Sequence, residues 1–206
     1  MSILNVLLRP DQLLVAVDTL AEDALSGATS AGAKALLIPQ HNLVLATRGS
    51  TQFFLRIYEL SLQASFRSDF TMEQLMRELG LVIDQLWPNY ERAALEAGIS
   101  SSLLHTELML GGWSPQSRRF EATAYAKSES GVPAVAQRLA GGLASPGEPL
   151  KGRPDSFDLS DVLSAGKLQA AWLNAQCGRR VAGGNLLALV LRKDRADVLN
   201  LGQLDL

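Results

Sequence analysis

The chain has 206 residues, 47% of them hydrophobic and 19% charged, which supplies one sizeable core and suits one domain over residues 1–206. Its net charge of −2 excludes the electrostatic footprint of a nucleic-acid or anionic-membrane partner. The clusters Arg118-Arg119, Arg179-Arg180 and Arg192-Lys193-Asp194-Arg195 are short and read as solvated faces. A single cysteine, Cys177, excludes an intramolecular disulfide framework and fits a reducing compartment, while His41 and His105 offer no metal-cluster spacing.

Two β-type runs, 3–8 and 13–17, are split by the turn signal Arg9-Pro10-Asp11-Gln12. They hardly alternate, so this hairpin is expected to be buried on both faces. A loop over 18–32, rich in Ala, Ser and Gly, precedes a second hairpin that joins 35–38 to 43–47 through Pro39-Gln40-His41-Asn42. The period then becomes helical. Phe53, Phe54, Ile57, Tyr58 and Leu60 follow Ser50 or Thr51 as cap. Thr71 with Gln74 resembles a capping box ahead of Met72, Leu75, Met76, Leu79, Val82, Ile83 and Leu86, with Pro88 kinking or ending that helix and Gly98 ending any continuation.

Strand patterns return at 103–110 and 119–127, with Gly111-Gly112-Trp113-Ser114-Pro115 as the turn between them, and a third run covers 132–139. Residues 145–157 hold three prolines and two glycines and read as a surface loop. Ser160 or Asp161 is expected to cap a third helix bearing Val162, Leu163, Leu168, Ala171 and Trp172, before closing strands at 186–191 and 197–201. Strands segregated from helices in this order indicate an α+β layered fold. No apolar run reaches membrane-spanning length, and Arg9-Pro10-Asp11 cuts the apolar start short of a signal peptide, so a cytoplasmic location is expected. The low charge fits equally a monomer with a large core and a chain that buries surface against others.

Chemistry concentrates in a register counted from Ser2. Asp18 lies 16 positions on (18 − 2) and Lys34 lies 32 on (34 − 2), each at an edge of a predicted strand. If Met1 is removed, Ser2 carries a hydroxyl nucleophile beside its own free amine, whose unperturbed pKa of about 7.7–8.0 lets it act as a base. Lys34, held by Asp18, would favour the developing alkoxide and oxyanion, and Gly49 could present its backbone N–H to that oxyanion.

These residues resemble the N-terminal third of proteasome β-subunits and their bacterial relatives. Leu13-Leu14-Val15-Ala16-Val17-Asp18-Thr19 is similar to the family's second strand with its active-site Asp. Lys34 matches the active-site Lys, and Gly49 the oxyanion glycine after one extra hairpin residue. Leu110-Gly111-Gly112-Trp113-Ser114 resembles the family's Gly-Trp-Asp turn, and Ala182-Gly183-Gly184-Asn185 its small-residue turn before the penultimate strand. The resemblance covers most of the chain and is most specific in the first fifty residues.

It implies a four-layer αββα sandwich of two antiparallel sheets flanked by helices. It also implies a homo-oligomeric ring, a peptide or small amide substrate, no cofactor, and a side-chain pocket lined by Ala21, Gly32, Leu36 and Thr47. A regulatory ATPase is left open. The sequence departs from the family where Ser2 replaces Thr, and where Gly141-Gly142-Leu143 lacks the supporting hydroxyl, with Ser145 or Asp161 nearby. Arg179 and Ala182 stand at the positions of a supporting Asp and Ser. Two functions follow: an N-terminal nucleophile hydrolase, or a catalytically silent relative kept for assembly, which Arg179 beside Ser2 would favour. An unrelated α+β binding module is the third reading.

Overall fold

The computed structural model describes residues 2–204, and the expected removal of Met1 lies outside them. The chain opens with strands β1 (Leu4–Arg9), β2 (Gln12–Asp18), β3 (Leu20–Glu22), β4 (Thr29–Ala31), β5 (Ala35–Ile38) and β6 (Leu43–Gly49). Helices α1 (Thr51–Ala64) and α2 (Met72–Glu96) come next. Strands β7 (Thr106–Ser114), β8 (Arg119–Lys127), β9 (Val135–Arg138) and β10 (Leu143–Ser145) follow, then helix α3 (Leu159–Cys177) and strands β11 (Asn185–Arg192) and β12 (Arg195–Gln203).

Two five-stranded antiparallel sheets, ordered β10-β1-β2-β11-β12 and β5-β6-β7-β8-β9, stack face to face. Three apolar clusters define the layers. Leu13, Val15 and Val17 of β2 meet Val44, Ala46 and Met109 between the sheets. Leu14 and Ala16, on the opposite face of β2, pack with Val162, Ala170 and Leu173 of α3. Leu43 and Leu45 of β6 pack with Phe54 and Ile57 of α1 and with Leu79, Ile83 and Trp87 of α2. The result is the expected four-layer αββα sandwich. The unbroken apolar run of β2 is explained by cover on both faces, since period-2 alternation then has no solvent side to mark.

Local signals decide the helix starts. Ser50 caps α1 by accepting from the Phe53 N–H, and Thr71 caps α2 by accepting from the Gln74 N–H. Pro88 does not end α2, which runs on to Glu96 before Gly98 takes φ +88°. Trp87, beside the proline, is fully buried against the sheet, so tertiary packing holds the helix through its missing N–H.

The structure corrects five expectations. Residues 18–32 contain a small two-stranded sheet, β3 with β4, rather than loop alone. The Gly111-Gly112 pair lies inside β7, and the turn falls later, around Arg118 with φ +54°. These glycines serve close approach instead: a Cβ on Gly111 would stand 2.8 Å from Leu13 Cδ2, and one on Gly112 2.5 Å from the Asn42 carbonyl oxygen. The run at 132–139 narrows to β9, while 143–145, read partly as loop, pairs with β1 as an edge strand. Asp158, not Ser160 or Asp161, caps α3, accepting from both of their N–H groups.

Candidate functional site

Asp18 ends β2 and Gly49 ends β6, so both reach the same end of the stacked sheets, where β7 begins and β11 starts. There Lys34 Nζ donates to Asp18 Oδ1 at 2.9 Å and also to the Leu20 carbonyl. The pair is shielded from solvent, with side-chain exposures of 4% for Lys34 and 0% for Asp18. Burial lowers the Lys34 pKa from its ordinary 10.5, and the Asp18 carboxylate beside it works against that shift. An ammonium has three donors, and these two bonds leave one to point elsewhere.

Asp18 also holds the start of the chain. Its Oδ1 accepts from the Ile3 N–H at 2.9 Å, and its Oδ2 from the Gly183 N–H at 3.3 Å. One carboxylate thus joins the residue after Ser2, Lys34 and the loop before β11. Ser2 itself is buried. Asn174 of α3 braces that loop: its Oδ1 accepts from the Val181 and Ala182 N–H groups, and its Nδ2 donates to the Ala182 carbonyl.

Gly49 has φ +126°, and a Cβ there would collide with the His105 carbonyl oxygen, so only glycine fits this bend at the end of β6. Half-buried His105 has its pKa lowered by loss of hydration and by the Arg48 charge, while Glu107 acts in the opposite sense.

Two of the four pocket positions face each other, and the other two have separate surroundings. Ala21 and Gly32 face one another closely, since a Cβ on Gly32 would lie 2.8 Å from that of Ala21. Leu36 instead packs against the core beneath α1 and α2. Thr47 is buried, with its hydroxyl donating to the Glu107 carbonyl at 3.2 Å. Three surface pockets, of about 240, 350 and 590 Å³, are lined by none of the eight site positions.

Arg179 pairs with Glu22 of β3, at 2.6 and 2.7 Å to its two carboxylate oxygens. Ala182 is buried. The guanidinium that touches Ser2 belongs to Arg48, which sequence reasoning passed over. Its Nε donates to the Ser2 carbonyl at 2.9 Å. The available signal was its place between two site positions, Thr47 and Gly49, on a strand whose alternate residues face the other sheet. Among the described residues no group of three or more His, Cys, Asp or Glu side chains is placed to hold a metal. No described helix is long and apolar enough to cross a membrane.

No family model and no curated protein matches this sequence. Its fold does match solved structures. Anbu (ancestral beta-subunit) from Yersinia bercovieri superposes with a TM-score of 0.66 at 15% identity, over 97% of this chain and 87% of that one. An Anbu (Gly-1) mutant from Hyphomicrobium sp. strain MC1 gives a TM-score of 0.63 at 14% identity, over 100% of this chain and 87% of that one. The layered sandwich of this chain is the fold of these ancestral β-subunits.

Proposed function

We propose that the chain is a proteasome-like N-terminal nucleophile hydrolase, one unit over 1–206, in which Ser2, freed by removal of Met1, cleaves peptide or small amide bonds. The Ser2 amine takes the hydroxyl proton as Oγ attacks the acyl carbon. The amide C–N bond breaks, an ester forms on Ser2, and the leaving amine receives that proton. Water then hydrolyses the ester. Lys34, as an ammonium beside Asp18, favours the alkoxide, and the Gly49 N–H favours the oxyanion. A modest apolar side chain beside Ala21, Gly32, Leu36 and Thr47 completes the reading, with a homo-oligomeric ring in the cytoplasm as its setting.

The observation that carries this reading is the solvent-shielded Asp18–Lys34 pair, whose carboxylate also holds the Ile3 N–H next to Ser2. Intact mass after incubation with a β-lactone electrophile tests it. The expected result is loss of one methionine and gain of one adduct, absent in Ser2→Ala and in Lys34→Ala, with Lys34→Ala still folded. Turnover retained by Lys34→Ala sinks the mechanism.

The silent assembly subunit stays as the second reading. It is favoured by Ala182 near the position where the resemblance implies a supporting Ser, whereas Arg179, paired with Glu22, does not supply the contact with Ser2 that would favour it. A free Ser2 that takes no adduct selects it.

A further inference from the structure

The peptide unit between Ser2 and Ile3 is held at both ends by charged side chains. Its N–H donates to Asp18 Oδ1 at 2.9 Å, and its carbonyl accepts from Arg48 Nε at 2.9 Å. Arg48 is itself braced. Its Nη1 donates to Glu107 Oε1 at 3.0 Å and to Ser145 Oγ at 2.7 Å, and Ser145 Oγ donates to Glu107 Oε2 at 2.7 Å. The three side chains close a ring of hydrogen bonds drawn from β6, β7 and β10, so the guanidinium that holds the Ser2 carbonyl is braced from both sheets.

We propose that Arg48, braced by Glu107 and Ser145, is a positioning residue that orients Ser2 against the Asp18–Lys34 pair. Fixing both polar groups of one peptide plane fixes the Ser2 Cα and the direction of its Cα–C bond, which leaves the amine and hydroxyl one rotation, about that bond. That rotation sets where the Ser2 amine and hydroxyl point relative to Lys34, which shares Asp18 Oδ1 with the Ile3 N–H. A planar guanidinium suits the task because it can hold a carbonyl with one edge and a carboxylate–hydroxyl pair with another. Ser145 acts on Ser2 through Arg48, which its hydroxyl helps to hold. The proposal rests on Ser2 being the nucleophile, but the restraint itself is measurable without catalysis.

The test uses the full chain with Ser2 made N-terminal by cleavage of a fusion, as wild type, Arg48→Met, Arg48→Lys and Ser145→Ala. Amide exchange at Ile3, with Val6 and Val15 as internal references, reads the restraint, and the β-lactone adduct rate reads its consequence. Arg48→Met is expected to speed Ile3 exchange and slow the adduct by about tenfold or more each, as loss of a charged hydrogen bond implies. Val6 and Val15 stay protected. Lysine, which cannot bridge the same partners, is expected not to restore either value, and Ser145→Ala gives a smaller change in the same direction without removing the guanidinium.

Unchanged Ile3 exchange in Arg48→Met overturns the proposal. So does a uniform loss of protection at all three amides, which marks a cross-tie between sheets and nothing more. If wild-type Ser2 takes no adduct, the hydrolase reading fails, and Ile3 exchange alone still decides whether Arg48 orients Ser2.

Discussion

At the residue scale, Asp18 carries the most connections: two backbone N–H groups and the Lys34 ammonium converge on it. Removing one partner of a buried pair strands the other charge, which typically costs about 3–5 kcal/mol. Lys34→Ala is therefore expected to be less stable than wild type in chemical denaturation but still folded, because the Ile3 and Gly183 amides continue to solvate the carboxylate. The double variant Asp18→Asn/Lys34→Met is expected to lose less than the sum of its single changes, and strict additivity would show the pair to be uncoupled.

His105 gives a pH-dependent prediction. Its folded-state pKa is lowered below the ordinary 6.5, so the unfolded chain binds its proton more readily. Its contribution to stability is complete above pH 6.5 and is lost as pH falls through the folded value. Denaturant melts between pH 7 and 5 should show this decline in wild type and a flatter profile in His105→Asn. Equal slopes in the two proteins would exclude His105 as its source.

At the element scale, caps and turns were legible where the signal was local. Ser50 at the start of α1 satisfies the Phe53 N–H through its own hydroxyl, so Ser50→Ala should cost about 1 kcal/mol, read as a lower denaturation midpoint with unchanged slope. Signals that mean two things misled. Gly111-Gly112 promises a turn by local propensity, yet both residues lie within β7 because neighbouring chain passes too close for a side chain. Pro88 promises a kink or a helix end, and burial of Trp87 and Ile83 carries α2 past it, which rules out the end. Short strands such as β3, β4 and β10 were missed because three residues give no readable period.

At the scale of the whole molecule, the two sheets and their helical covers account for the large apolar share of the sequence, with three clusters separated by the sheets. Exposed apolar side chains remain, among them Leu55 on α1, Phe66 just past its end and Leu81 on α2. A ring assembly would give such surface a partner. Native mass spectrometry of the purified chain is expected to find a discrete high-order multiple of the protomer mass, and a monomer at micromolar concentration would count against the ring.

The sequence by itself determined the order of strands and helices and an α+β layered fold, because apolar period is set by which faces of an element meet solvent. It also set Asp18 and Lys34 at strand edges counted from Ser2; the four-layer stacking and the place of Gly49 came with the family resemblance. The pairing of Asp18 with Lys34 also followed from that register, since both belong to neighbouring segments of chain. Tertiary structure alone decided which guanidinium meets Ser2. Glu107 and Ser145 lie 59 and 97 positions from Arg48; the pairing of β6 with β7 brings Glu107 beside it, and the stacking of the other sheet brings Ser145. Arg179, by contrast, is drawn to Glu22. Contacts between distant strands depend on sheet order and register, which no local pattern encodes.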